Sequence, residues 1–187
     1  VLRAILIAAT LLASWLGMQA VHEFGHVMGA WLTGGVVERV VLHPLTISRT
    51  DLSRNPQPLV VVWAGPVTGV VLPLAAWFVA VGSKSSGAFV LRFFAGFCLI
   101  ANGLYIALGS LAAIGDCGEM LRHGSAPWQL WLFGIITTPA GFWLWHGQGK
   151  HFGLGSAAEP ISPPVTYGVA VVAVLLLLLG LLTGSPW

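Results

Sequence analysis

Charge is what this chain has least of. Charged residues make up 7% of its 187 residues, and hydrophobic residues make up 57%. An average soluble domain is about 25% charged. A chain this apolar cannot hide its surface in one water-soluble core, so the sequence excludes an ordinary soluble domain and calls for a bilayer as solvent. Six acidic and eight basic residues leave a formal charge of +2, with no Lys/Arg cluster. A nucleic-acid partner is thereby excluded. Cysteine is scarce too. Cys98 and Cys117 are the two present, and they fall on one apolar segment nineteen residues apart. On a continuous helix that spacing is about 28 Å, too far for a disulfide. There is no internal repeat and no long low-complexity tract.

What the chain has in quantity is long apolar runs. Five are expected to cross a core about 30 Å thick: Leu2–Leu32, Leu59–Val81, Ala88–Ile114, Trp128–Trp145 and Val165–Leu182. The first carries Arg3 near its start, ahead of its apolar stretch, and could mimic a signal peptide. Met18-Gln19-Ala20 makes a poor cleavage site, so a retained helix is expected. Trp31, Trp128, Trp143 and Trp145 fall near the span ends, where indoles favour the interface. The connection 33–58 is the most polar part of the chain. Its Val36–Leu42 stretch, bounded by Gly34-Gly35 and Pro44, reads as a short strand, with Ile47 to Arg49 expected to pair back on it. The loop 146–164 is rich in Gly, Ser and Pro. The expected fold class is therefore an all-α polytopic membrane protein with a small β element after its first helix. Five spans would put Arg39, Arg49, Arg54 and Arg122 on the side opposite the N-terminus. The positive-inside rule then makes that side cytoplasmic.

Against this background one segment stands out. Val21-His22-Glu23-Phe24-Gly25-His26 contains H-E-x-x-H near the end of the first span. Positions i and i+4 share a helix face, so the His22 and His26 imidazoles can bind one metal ion, and zinc suits two nitrogens so placed. Glu23, beside His22, can reach a water rather than the metal and act as general base and acid. Three ionisable groups within a span are costly unless functional; the bland reading is polar residues hydrogen-bonding helices together. A catalytic zinc needs a third protein ligand. The candidates are Asp116, Glu119, His43, Asp51 and His123. The first and third spans run in the same direction, so Asp116, at the end of the third, should reach the depth of the histidines. Asp116 is the choice, and Glu119, one turn further, is next.

These motifs resemble the site-2 protease family of intramembrane zinc metallopeptidases. His22-Glu23-x-x-His26 lies on the first core helix, Ala64-Gly65-Pro66 opens the second, and Asp116-Cys117-Gly118 stands where that family has an Asp-Gly motif after the third. The strand-like stretch after Gly34-Gly35 sits where the family has a small β element. The resemblance covers residues 1–122 as a three-helix metallopeptidase core and leaves 123–187 as two accessory helices. It implies that His22, His26 and Asp116 bind Zn2+ and that Glu23 is the catalytic acid/base. It also implies a cytoplasmic active-site side, in the cell membrane, and a substrate that is another membrane protein's transmembrane segment. Gly69 replaces an Asn common in the family, and no proline precedes Asp116. Asn102 is expected to take the family's substrate-contact role, with Gly65 and Gly69 as further substrate contacts or as close-packing positions.

The function expected is thus hydrolysis of peptide bonds in or near membrane segments. The alternative is a catalytically degenerate zinc-binding scaffold, against which Glu23 argues, since it is not needed to hold the metal. A metal transporter would carry polar groups across more of its spans.

Overall fold

A computed structural model describes residues 1–183. It contains six α-helices and one two-stranded sheet: α1 (Leu2–Leu32), β1 (Val36–Val41), β2 (Arg49–Arg54), α2 (Pro58–Gly82), α3 (Ala88–Ala112), α4 (Gly115–Arg122), α5 (Pro127–Trp145) and α6 (Pro163–Thr183). A 3-10 turn, Gln148–Phe152, follows α5. Helices α1, α2, α3 and α6 are long and apolar enough to cross a membrane. The run at 128–145 also forms a helix, α5, but it is not among these four. Gln129, Thr137, Thr138 and Pro139 dilute its hydropathy. It lies against α3 as a partner helix.

Small residues set the helix order. Helix α1 packs between α6 and α2, α2 packs on α3, and α3 packs on α5. A methyl group placed on Gly25 of α1 would lie 2.8 Å from the Gly65 Cα of α2, and one on Gly29 would lie 3.1 Å from the Val61 Cα. These two glycines, one turn apart, let the α1 and α2 backbones approach closely, as small-x-x-x-small patterns do in lipid. Gly96 and Gly103 of α3 meet Gly141 and Gly134 of α5 in the same way.

Three local breaks shape the end of the bundle that carries the polar residues. Pro58 starts α2 at a first-turn position, where a missing N–H costs nothing. Gly34, at φ +76°, turns the chain from α1 into β1. Helix α3 stops at Ala113, in a left-handed conformation, and Gly115 follows with φ +54°. The chain therefore folds over into α4 instead of continuing α3 to Ile114 and beyond. Cys98 and Cys117 are accordingly on two helices, not one; both are free and buried.

The hairpin is antiparallel, with Val41 opposite Arg49, Val40 opposite Thr50 and Arg39 opposite Asp51, and an irregularity between Val36 and Arg39. The returning strand begins at Arg49, so Ile47 and Ser48 lie in the connection and not in the ladder. Exposed Leu45 and Ile47 sit in that connection, too tightly curved for ladder pairing. Both strands lie against α1, and β1 also touches α6.

Candidate metal centre

The end of α1 is buried where its polar residues lie: His22, Glu23 and His26 are 6%, 2% and 7% exposed. The two imidazoles come from successive turns of one face, as i, i+4 spacing dictates. Their ring centroids are 4.8 Å apart. The α3–α4 break then brings in Asp116. Its Oδ2 lies 2.8 Å from His22 Nε2 and 3.4 Å from His26 Nε2, and the two Nε2 atoms are 3.1 Å apart. One ligand atom from each residue thus falls within 4.8 Å of the others.

Each side chain is held from behind. His26 Nδ1 donates to the Val61 carbonyl of α2 over 2.9 Å. His22 Nδ1 donates to Asn102 Oδ1 over 2.7 Å, and the Asn102 amide nitrogen donates to the Cys98 carbonyl over 2.9 Å. That second bond orients the amide, so its oxygen must face His22. Both rings then carry their proton on Nδ1 and point the Nε2 lone pair toward Asp116. The Asp116 backbone N–H donates to the Tyr105 hydroxyl over 3.0 Å.

The donor set fits zinc. Ligand atoms at about 2.0–2.1 Å around a tetrahedral zinc stand roughly 3.3 Å from one another. The observed separations of 2.8, 3.1 and 3.4 Å need only a small expansion to admit the ion. Two neutral imidazoles and one ionised carboxylate are also the ligand types of a catalytic site that keeps a position open.

Glu23 stays off this cluster. Its Oε2 accepts a hydrogen bond from the Thr50 hydroxyl of β2 over 2.8 Å. Glu23, the two histidines and Asp116 all line a cavity of about 840 Å3, which β2 and the hairpin connection border on the other side.

A family model, Peptidase M50B-like, matches residues 3–138. The chain belongs to this family. Peptidases of the M50 type are generally zinc-dependent, and His22, His26 and Asp116 form a group that could hold a metal ion. The match runs past residue 122 into α5. The comparisons with curated proteins and with solved structures gave no match.

The remaining candidates fall elsewhere. Glu119 lines the cavity but pairs with Arg122 and His123, on the outer side of α4. Asp51 pairs with Arg39 and Arg49, and His43 Nδ1 accepts from the Leu45 N–H. Cys117 gives its S–H to the Tyr105 and Ile106 carbonyls, and burial pushes its thiol up to about 11, so it remains a thiol. Asn102 is 1% exposed, braces His22 through its amide oxygen, and borders the same cavity as the histidines. Gly65 and Gly69 are both buried and neither lines the cavity. A side chain at Gly65 would enter the His26 ring, and one at Gly69 would lie 2.8 Å from the Asn102 amide nitrogen. They behave as packing positions, because side chains of α1 and α3 fill the space beside them. Sequence reading missed Thr50 and Tyr105. Tyr105 did carry a faint signal, as one of two tyrosines in the chain, three residues after Asn102.

Proposed function

We propose that this protein is a zinc-dependent intramembrane endopeptidase that hydrolyses peptide bonds in or near the transmembrane segments of other membrane proteins. The observation that carries this reading is the convergence of His22 Nε2, His26 Nε2 and Asp116 Oδ2 beside a separate carboxylate, Glu23, in one cavity at the end of membrane-crossing helices. His22, His26 and Asp116 would hold the zinc. Bound there, zinc supplies Lewis acidity, activating a water and polarising the scissile carbonyl. Glu23 takes the proton of the attacking water and returns it to the leaving amine. The Nδ1 bonds to Asn102 and Val61 keep both rings in the tautomer that presents Nε2. Helices α1 to α4 form the catalytic core, and α5 and α6 brace it from the two flanks. The active-site end faces the cytoplasm.

A transmembrane substrate hides its carbonyls in helical hydrogen bonds and must be unwound before attack. Strand β2 lines the cavity, and its other neighbour in the sheet is β1 alone. Its outer edge can therefore pair with an extended substrate segment. The scaffold alternative has no comparable support, because Glu23 is kept in the cavity and out of the ligand cluster.

The test measures metal content and cleavage together on detergent-purified protein, Glu23→Gln and Asp116→Ala. Stoichiometric zinc is expected in the parent and in Glu23→Gln, with cleavage only by the parent and zinc lost in Asp116→Ala. Zinc-independent cleavage, or full activity in Glu23→Gln, would overturn the mechanism.

A further inference from the structure

A second cavity, of about 500 Å3, lies at the opposite end of the helices from the metal centre. It is built by the end of α2, the turn into α3, the first turns of α3, the 3-10 turn and the loop before α6. Two of its lining residues hold buried polar atoms with no partner: Arg92 Nε and Gln148 Oε1. Gln148 is 3% exposed, and its amide nitrogen donates to the Phe89 carbonyl over 3.3 Å. That bond fixes the amide orientation and leaves the oxygen as the open acceptor. Arg92 donates from Nη2 to the His146 carbonyl over 3.2 Å. Among the described residues no carboxylate lies within ion-pair distance of it. The one carboxylate lining the cavity, Glu159, is held by Lys150 Nζ at 3.0 Å and His151 Nδ1 at 2.6 Å.

Arg92 is thus a half-buried cation with a free donor and no counter-charge, an arrangement that is costly unless something completes it. A buried water would satisfy the two open hydrogen bonds but would leave the charge uncompensated. An anionic oxygen does both, and guanidinium groups pair especially well with phosphate. Ser85, Ser86 and Ser162 add hydroxyls to the wall, and Trp77, Val81 and Phe89 give it an apolar side. It continues along the membrane-crossing part of α2, as a ligand with a charged head and an apolar body requires.

We propose that this cavity binds a phosphate ester, with a phosphate oxygen accepting from Arg92 Nε and a neighbouring hydroxyl or amine donating to Gln148 Oε1. Because α2 ends and α3 begins at this level, the bilayer's own headgroups are the source closest to hand; free phosphate shares the chemistry. The site is separate from the metal centre and does not depend on the protease reading.

The test uses the full chain, delipidated in detergent, titrated with short-chain phosphatidylglycerol, with short-chain phosphatidylcholine, and with inorganic phosphate alone. Saturable binding of one phosphatidylglycerol per chain is expected. It should weaken about tenfold in Arg92→Gln and in Gln148→Leu, as loss of a hydrogen bond to a charged group or a buried amide implies, with helical circular dichroism unchanged. Arg92→Lys, which keeps the charge and loses the Nε donor, should also weaken binding and serves if Arg92→Gln does not fold. Inorganic phosphate binding with the same dependence on these variants would assign the site to free phosphate. Equal affinity of parent and variants for every probe, or no saturable binding at all, overturns the proposal and leaves water as the occupant.

Discussion

The hydroxyl of Thr50, on β2, donates to Oε2 of Glu23, on α1, across 2.8 Å. This bond ties the strand that borders the cavity to the carboxylate proposed as general base. It holds one carboxylate oxygen and leaves the other free to face the attacking water. Thr50→Val, which keeps the shape and removes the donor, is expected to lower kcat about tenfold or more, the usual worth of a hydrogen bond to a charged group. Zinc content and KM should stay near parental values, and Thr50→Ser should restore activity. A loss in KM with kcat unchanged would mean that Thr50 serves substrate binding instead.

Asn102 and His22 make a second prediction. Outer partners of metal-ligating histidines are typically worth 10–100-fold in metal affinity. Asn102→Leu is therefore expected to weaken zinc binding by about tenfold or more, read by competition with a chelator. Asn102→Asp, which keeps an acceptor for His22 Nδ1, should retain most of the affinity. Equal zinc affinity in all three proteins would remove the positioning role.

Gly65 offers a steric test. Its missing side chain is the space that the His26 ring occupies. Gly65→Ala should displace that ring from the Val61 carbonyl and reduce bound zinc, while Gly82→Ala, at a position with nothing nearby, should not. Metal analysis of the two purified variants distinguishes a local effect from general destabilisation.

Tyr105 supports Asp116 through its hydroxyl. Tyr105→Phe removes the acceptor for the Asp116 N–H, a bond worth about 1 kcal/mol. A several-fold drop in zinc affinity is expected, with little change in overall helicity. Full zinc affinity in that variant would show that the α3–α4 break alone is enough to place the carboxylate.

A pH effect is expected far from the centre. Hydrogen bonds from Lys150 first, and then from His151, hold the exposed Glu159 carboxyl below its ordinary value. A depressed carboxylate contributes stability that is present above its unfolded pKa and is lost as pH falls through its folded one. The loop 153–162 should thus lose hydrogen-exchange protection, measured against the intrinsic exchange rate, as pH falls below the ordinary glutamate value of about 4.3, and Glu159→Gln should abolish that dependence. The effect will be small and salt-sensitive, as exposed ion pairs are.

Much of this arrangement was open to reading from local pattern. The membrane helices follow from unbroken hydropathy, and the shared face of His22 and His26 follows from helical periodicity, which is written into neighbouring residues. Strand β1 follows from a β-branched run set between a Gly-Gly pair and a proline. Matching the depths of two parallel spans was enough to bring Asp116 toward the histidines. Local pattern failed where covalent neighbours carry no information. Asn102 reaches His22 from eighty residues away, the Val61 carbonyl reaches His26 from thirty-five, and Thr50 reaches Glu23 from twenty-seven. Each of these contacts depends on how closely two backbones approach, and that distance is set by glycines such as Gly25 and Gly65 meeting across a helix interface. A glycine in sequence is silent about what fills the space beside it. Packing made Gly65 the seat of the His26 ring and Gly69 that of the Asn102 amide, and it set the Asn102 oxygen against His22.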